Sequence, residues 1–190
     1  MEKVLFFLDY ANINRSASDK GFELDYEHLM HYISEGRFLI DSYCYVPIDP
    51  RIPTRTDRAI EELWSVGYVV NSKIGTIAGD SYKCDFDVEM AMDITKMAHI
   101  IKPDIVILGT GDVDFIPLVL QLRKDGIRVE VASFHDSASR ELMLRCSGFI
   151  SLDKYYAEDY MGGEAEQDAD ENIDHNQDFD YGQDVLDDKD

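Results

Sequence analysis

Asp9 ends a continuous apolar run, Val4–Leu8, and Asn12 stands three residues beyond it. Asp112 and Asp114 follow a second apolar run, Asp104–Leu108, across the small-residue loop Gly109-Thr110-Gly111. Asp87 opens a long stretch with apolar residues at helical spacing. Runs of this kind read as strands buried on both faces. If the two strands are neighbours in one parallel sheet, Asp9 and Asp112 face each other at its carboxyl edge, and Asp87 can point there from its helix. Gathered carboxylates repel one another, so such a cluster is costly unless cations neutralise it. Oxygen ligands with an amide nearby select hard ions, Mg²⁺ or Mn²⁺. Singly, each aspartate has an ordinary alternative: Asp112 as a helix cap, Asp9 in an Asx turn. Taken together, at two strand ends and one helix start, they favour a metal site. His28 and His31 lie three apart on a helix, which is not zinc spacing, and no Ser-His-Asp arrangement is legible.

The elements that must position these residues alternate along the chain. Strands are expected at Val4–Leu8, Leu39–Val46, Tyr68–Asn71, Asp104–Leu108, Val129–Ser133 and Phe149–Leu152. One helix is expected over Asp25–Ser34 with Asp25 as its cap. A second opens at Thr54-x-x-Asp57 after the stiff Pro47, Pro50, Pro53 loop, with Ile60, Leu63 and Trp64 toward the core. The strongest helix is Phe86–Ile101, where Met90, Ala91, Ile94, Met97, Ala98 and Ile101 share a face. Val113–Asp125 is closed by Gly126, and Ser139–Cys146 by Gly148. Gly75–Tyr82 reads as a flexible loop. Strands alternating with helices predict an α/β fold with a parallel sheet covered on both faces.

Composition narrows the classes. The chain has 190 residues, 45% of them hydrophobic, enough for one core-bearing domain. Cys44, Cys84 and Cys146 are odd in number and widely spaced, which excludes a disulfide framework. Val4–Leu8 is too short for a signal-peptide core or a membrane span. The expectation is a reduced, soluble, cytoplasmic protein with no membrane partner. The 18 basic and 39 acidic residues leave a net charge of −21, which argues against coating nucleic acid by charge alone. From Tyr155 to Asp190 there are 14 acidic residues and one lysine. Two regions follow: a domain over 1–154 and an acidic tail over 155–190, with Met161–Asp190 expected to be disordered. Plain solvation is its ordinary role, and docking a basic protein partner the alternative.

Several motifs carry a resemblance. Phe7-Leu8-Asp9-Tyr10-Ala11-Asn12-Ile13 resembles the opening motif of NYN-domain proteins, a branch of the PIN-like nucleases, in their LabA-like group. Asp87-Val88-Glu89-Met90-Ala91-Met92-Asp93 is similar to the second motif. Leu108-Gly109-Thr110-Gly111-Asp112-Val113-Asp114-Phe115 is similar to the third, and Ser139–Leu152 to the closing helix and strand. The resemblance covers about Lys3–Leu152 in the family's order. It implies a PIN-like three-layer α/β sandwich around a central, mostly parallel sheet. It also implies metal-dependent hydrolysis of RNA phosphodiesters, leaving 5′-phosphates. Asp9, Asp87 and Asp112 then look like the metal ligands, with Asn12 and Asp114 completing the catalytic set. Thr110 matches a hydroxyl position, and Asp93 an acidic one. Family members often carry a lysine three before the second-motif aspartate. Here Lys83 stands four before Asp87, and Asp85 competes with Asp87 for its role.

RNA, single-stranded if it is to reach such a site, must be held by the few cations available. Arg51, Arg55 and Arg58 cluster in the Pro-rich loop and helix start, Lys73 and Lys83 flank the Gly75–Tyr82 loop, and Arg15 follows the first motif. These are candidate phosphate contacts, with Tyr10, Tyr82 and Phe86 available for stacking; scattered cations otherwise only solubilise. Two other functions remain open. A phosphohydrolase acting on small substrates lacks its Asp-x-Asp after the first strand. A non-catalytic regulator would use the fold for protein or RNA binding. A homo-oligomer is compatible with all three.

Overall fold

The computed structural model describes residues 1–21, 23–79 and 81–160, with side chains to residue 157. Met1–Tyr155 make up one compact unit. The expected tail, Met161–Asp190, lies outside the described residues.

Six parallel strands make the central sheet: β1 (Lys3–Asp9), β2 (Phe38–Ile48), β3 (Val69–Ile74), β6 (Ile105–Gly109), β7 (Arg128–Ser133) and β8 (Gly148–Ser151), in the order β3-β2-β1-β6-β7-β8. Val4–Leu8 and Ile105–Leu108 are fully buried, which is why both read as continuous apolar runs. The chain builds outward from β1 to β3, then returns to place β6 on the other side of β1. Right-handed crossovers put helices before and after this return on opposite faces. On one face, α4 (Asp87–Ile101), α5 (Ile116–Lys124) and α6 (Arg140–Arg145) bury Met90, Ile94, Ala98, Leu118, Val119, Leu122 and Leu142 against Leu5, Phe7, Val106 and Leu108. Alternation sends Val4, Phe6 and Leu8 to the other face. There α1 (Tyr10–Asp19), α2 (Tyr26–Ser34) and α3 (Asp57–Ser65) bury Ile13, Ala17, Leu29, Ile33, Ile60 and Leu63. The three-layer α/β expectation holds, with every pairing in the sheet parallel. No described helix is long and apolar enough to cross a membrane.

Four details differ from the sequence expectations. The helix α1 is unforeseen, because Asn12, Asn14, Ser16 and Ser18 are poor helix formers; the Asp9 cap and burial of Ile13 and Ala17 outweigh that. The Thr54-x-x-Asp57 capping box does not form: Pro53–Thr56 is a 3₁₀ turn, and Thr56, at the cap position of α3, makes no side-chain cap bond. Trp64 does not face the core. It is 61% exposed, because the buried stripe of α3 passes through Ile60 and Leu63, and the next position on the helix turns outward. The Gly75–Tyr82 loop contains a small antiparallel hairpin, β4 (Thr76–Ala78) with β5 (Ser81–Lys83). The three cysteines are free.

Candidate active site

The return of the chain from β3 to β6 makes β1 and β6 neighbours, with Leu8 opposite Gly109 in the register. Strand order therefore reverses at this pair, and both strands end at the same edge. Asp9 leaves β1 there and caps α1, its Oδ1 accepting the Asn12 N–H at 3.1 Å. Its Oδ2 accepts from the Thr110 hydroxyl at 3.2 Å. The Thr110 oxygen in turn accepts the Asp112 N–H at 3.3 Å. Thr110, a candidate substrate contact from the sequence, is fully buried, and its hydroxyl links the Asp9 carboxylate to the Asp112 backbone.

Gly111 permits the close approach that this loop needs. A Cβ on it would lie 2.6 Å from the Ser137 carbonyl oxygen and 2.8 Å from Ala138 Cα, both backbone. Asp112 then opens the turn Val113–Phe115, its Oδ1 accepting the Asp114 N–H at 3.0 Å. Asp87 starts α4, and its N–H donates to Asp85 Oδ1 at 2.9 Å.

Asp87, Asp112 and Asp114 each offer a carboxylate oxygen, all within 4.8 Å of one another. Oxygens on one Mg²⁺ stand at most about 4.2 Å apart, so this spacing needs only a small closure. Among the described residues, none of Asp9, Asp85, Asp87, Asp112 and Asp114 is in an ion pair with a lysine, arginine or histidine. The uncompensated charge bears on the carboxyl groups themselves. Burial, then the charges of Asp85, Asp112 and Asp9, push the Asp87 carboxyl up to about 7. Burial also raises Asp9, with Asp112 adding to it, against the lowering bonds from Asn12 and Thr110. A donor set of carboxylates alone, crowded and in no ion pair among the described residues, suits a divalent metal ion.

The compact cluster differs in one member from the expected ligand set: Asp114 joins Asp87 and Asp112. Asp9 lines a cavity of about 600 Å³ together with Asn12, Arg15, Lys83, Asp87 and Asp112. Asp114 lies on the other side of the cluster, in a wider apolar cleft of about 880 Å³ along α4 with Val88 and Met92. Asp85, which borders both cavities, is the competitor that the second motif suggested. Asp93 is drawn away from the site and accepts from the Tyr45 hydroxyl at 3.0 Å.

The expected phosphate contacts separate into two groups. Lys73 is engaged by Glu89 and by the Asp85 carbonyl, and Arg51 by Asp49 at 2.5 Å. Arg15, Arg55, Arg58 and Lys83 make no ion pair among the described residues. Nothing in the sequence announced that Asn12 would tie to Gly111, or that Gly111 would touch the Ser137 backbone; the small-residue loop was the only signal.

Comparison with known proteins agrees with this architecture. A crystal structure of a protein of unknown function from Vibrio parahaemolyticus superimposes with a TM-score of 0.68 at 23% identity, covering 80% of this chain and 93% of that one. That likeness is one of fold. No curated protein matches the chain. The family model for the NYN domain matches residues 3–153, from the first residue of β1 to just past β8. Every aspartate of the cluster falls within that span, and the chain belongs to the NYN domain family, within the PIN-like nuclease superfamily.

Proposed function

We propose that the protein is a metal-dependent ribonuclease that hydrolyses phosphodiester bonds of single-stranded RNA, with Mg²⁺ or Mn²⁺ at the aspartate cluster. The observation that carries this reading is the convergence of Asp87, Asp112 and Asp114 within 4.8 Å at the strand-order reversal. When bound, the cation supplies charge against the phosphate oxygens and lowers the pKa of a water. The chain's own residues orient. Asn12 commits its Oδ1 to the Gly111 N–H at 2.9 Å, which leaves its amide Nδ2 as a donor for a phosphate oxygen at the cavity wall. Asp9, both oxygens engaged, holds the junction of β1 and α1 against Thr110. No side-chain nucleophile is needed, because water attacks in line and the leaving group is the 3′-oxygen.

The test is cleavage of an end-labelled single-stranded RNA with Mn²⁺ or Mg²⁺, beside the same reaction in EDTA. Cleavage only with cation, leaving 5′-phosphate ends, is the expected result. Full activity in EDTA, or 2′,3′-cyclic phosphate ends, overturns the reading.

A further inference from the structure

The cavity at the aspartate cluster does not end there. Through shared walls of Ala11, Arg15, Pro47 and Tyr82 it continues into a second cavity of about 370 Å³. Through Tyr10, Asn14, Ser18 and Arg55 that one continues toward Arg58. Ala11, Asn14, Arg15 and Ser18 recur at helical spacing, so one polar face of α1 forms the floor of this groove. From Ala11 to Ser18 the face runs about 10 Å, which accommodates about three stacked nucleotides at ~3.4 Å each.

The middle cavity has the chemistry of an anion site. Arg15 and Arg55 both line it, and neither has an ion pair among the described residues. Asp49, the one carboxylate on its wall, is already held by Arg51 through Nε at 2.9 Å and through Nη2. Thr56 also lines it, and its buried hydroxyl has no hydrogen-bond partner. A buried donor left unsatisfied costs free energy that an incoming acceptor would recover. Tyr10 and Tyr82 add half-buried aromatic walls, surfaces on which bases stack. By contrast, the end near Arg58 also carries Glu23 and Glu62, so the positive charge is centred on the middle cavity.

We propose that the cavity between Arg15 and Arg55 binds a backbone phosphate of the substrate strand, next to the phosphate at the aspartate cluster. The protein then acts on polynucleotide strands and discriminates against mononucleotides, which cannot fill both positions. The proposal rests on the nuclease reading and adds the residues that measure the strand. Charge supplied at two guanidiniums explains how an acidic protein holds RNA at one point without a basic surface.

The experiment uses the full chain, Mn²⁺, and a single-stranded oligoribonucleotide carrying one neutral methylphosphonate linkage at each position in turn. For the wild type, neutralising one linkage adjacent to the cleaved bond should raise KM about tenfold, the scale of one lost charged contact. Arg15→Gln and Arg55→Gln should each raise KM by a similar factor on the fully charged strand. Both should lose their response to that neutral linkage, and Arg55→Lys should recover part of it. Both arginines are exposed, and unchanged melting checks that the variants fold. A wild type that cleaves every substituted strand equally well overturns the subsite alone, as do variants that keep the wild-type response. A wild type that cleaves no RNA with either cation overturns the nuclease reading and the subsite with it.

Discussion

The side-chain oxygen of Asn12 accepts the backbone N–H of Gly111 at 2.9 Å, across 99 residues of chain. Together with the Thr110–Asp9 bond, it fastens the first turn of α1 and the end of β1 to the loop after β6, and so helps set the distance between Asp9 and Asp112. Asn12→Ala leaves the Gly111 N–H without that acceptor. The expected cost is about 1 kcal/mol of stability for a part-buried bond, with a larger relative loss of RNA cleavage. Chemical denaturation and a cleavage assay on the same preparation check the pair. Full activity in the alanine variant would mean that the loops are held without Asn12.

Asp112→Asn should reduce cleavage on the order of a thousandfold, the scale of losing one preorganised charge contact at a reacting group. The metal-free protein should keep its stability. Asparagine still offers Oδ1 to the Asp114 N–H, and one charge fewer relieves the repulsion with Asp87 and Asp9. Wild type should gain melting temperature with Mn²⁺, because only the folded chain assembles the ligands; the variant should gain much less. A variant that melts far below wild type in EDTA points to a structural role for Asp112 instead.

Asp87 makes stability depend on pH. Its folded-state pKa of about 7 lies above the ordinary 3.8. Between those values the folded state holds a proton that the unfolded state has released, so stability falls as pH rises from about 4 to about 7. Metal competes with that proton, so Mn²⁺ stabilisation should grow over the same interval and level off above it. Melting curves across this range, in EDTA and in Mn²⁺, are the measurement. In EDTA the Asp87→Asn variant should lose most of the slope.

Trp64, the only tryptophan, is 61% exposed on α3. Trp64→Gln should therefore change stability by no more than about 0.5 kcal/mol, as for most surface positions. The wild-type fluorescence should show a red-shifted, easily quenched emission. A loss of several kcal/mol would restore the core position that the helical pattern suggested.

The sequence by itself determined the kind of fold and the neighbourhood of the site. Val4–Leu8 and Ile105–Leu108 are apolar throughout, as strands covered on both faces require, and the period of Met90, Ile94 and Ala98 is that of a helix with one buried stripe. Aspartates just beyond such runs must then lie at the carboxyl edge of the sheet. Which strands are neighbours is not written in periodicity. That β6 returns beside β1 was decided by the closing of the layers, and with it the meeting of Asn12 with Gly111 and of Thr110 with Asp9, 99 and 101 residues apart. The tertiary structure also chose Asp114 for the close cluster, buried Thr110 between the Asp9 carboxylate and the Asp112 N–H, and formed α1 from residues of weak helix propensity. Periodicity records whether a face meets the core. The partner it meets there depends on packing between segments far apart in the chain, and so the groove along α1 forms only where α1, the Pro53–Thr56 turn and the β4–β5 hairpin stand together.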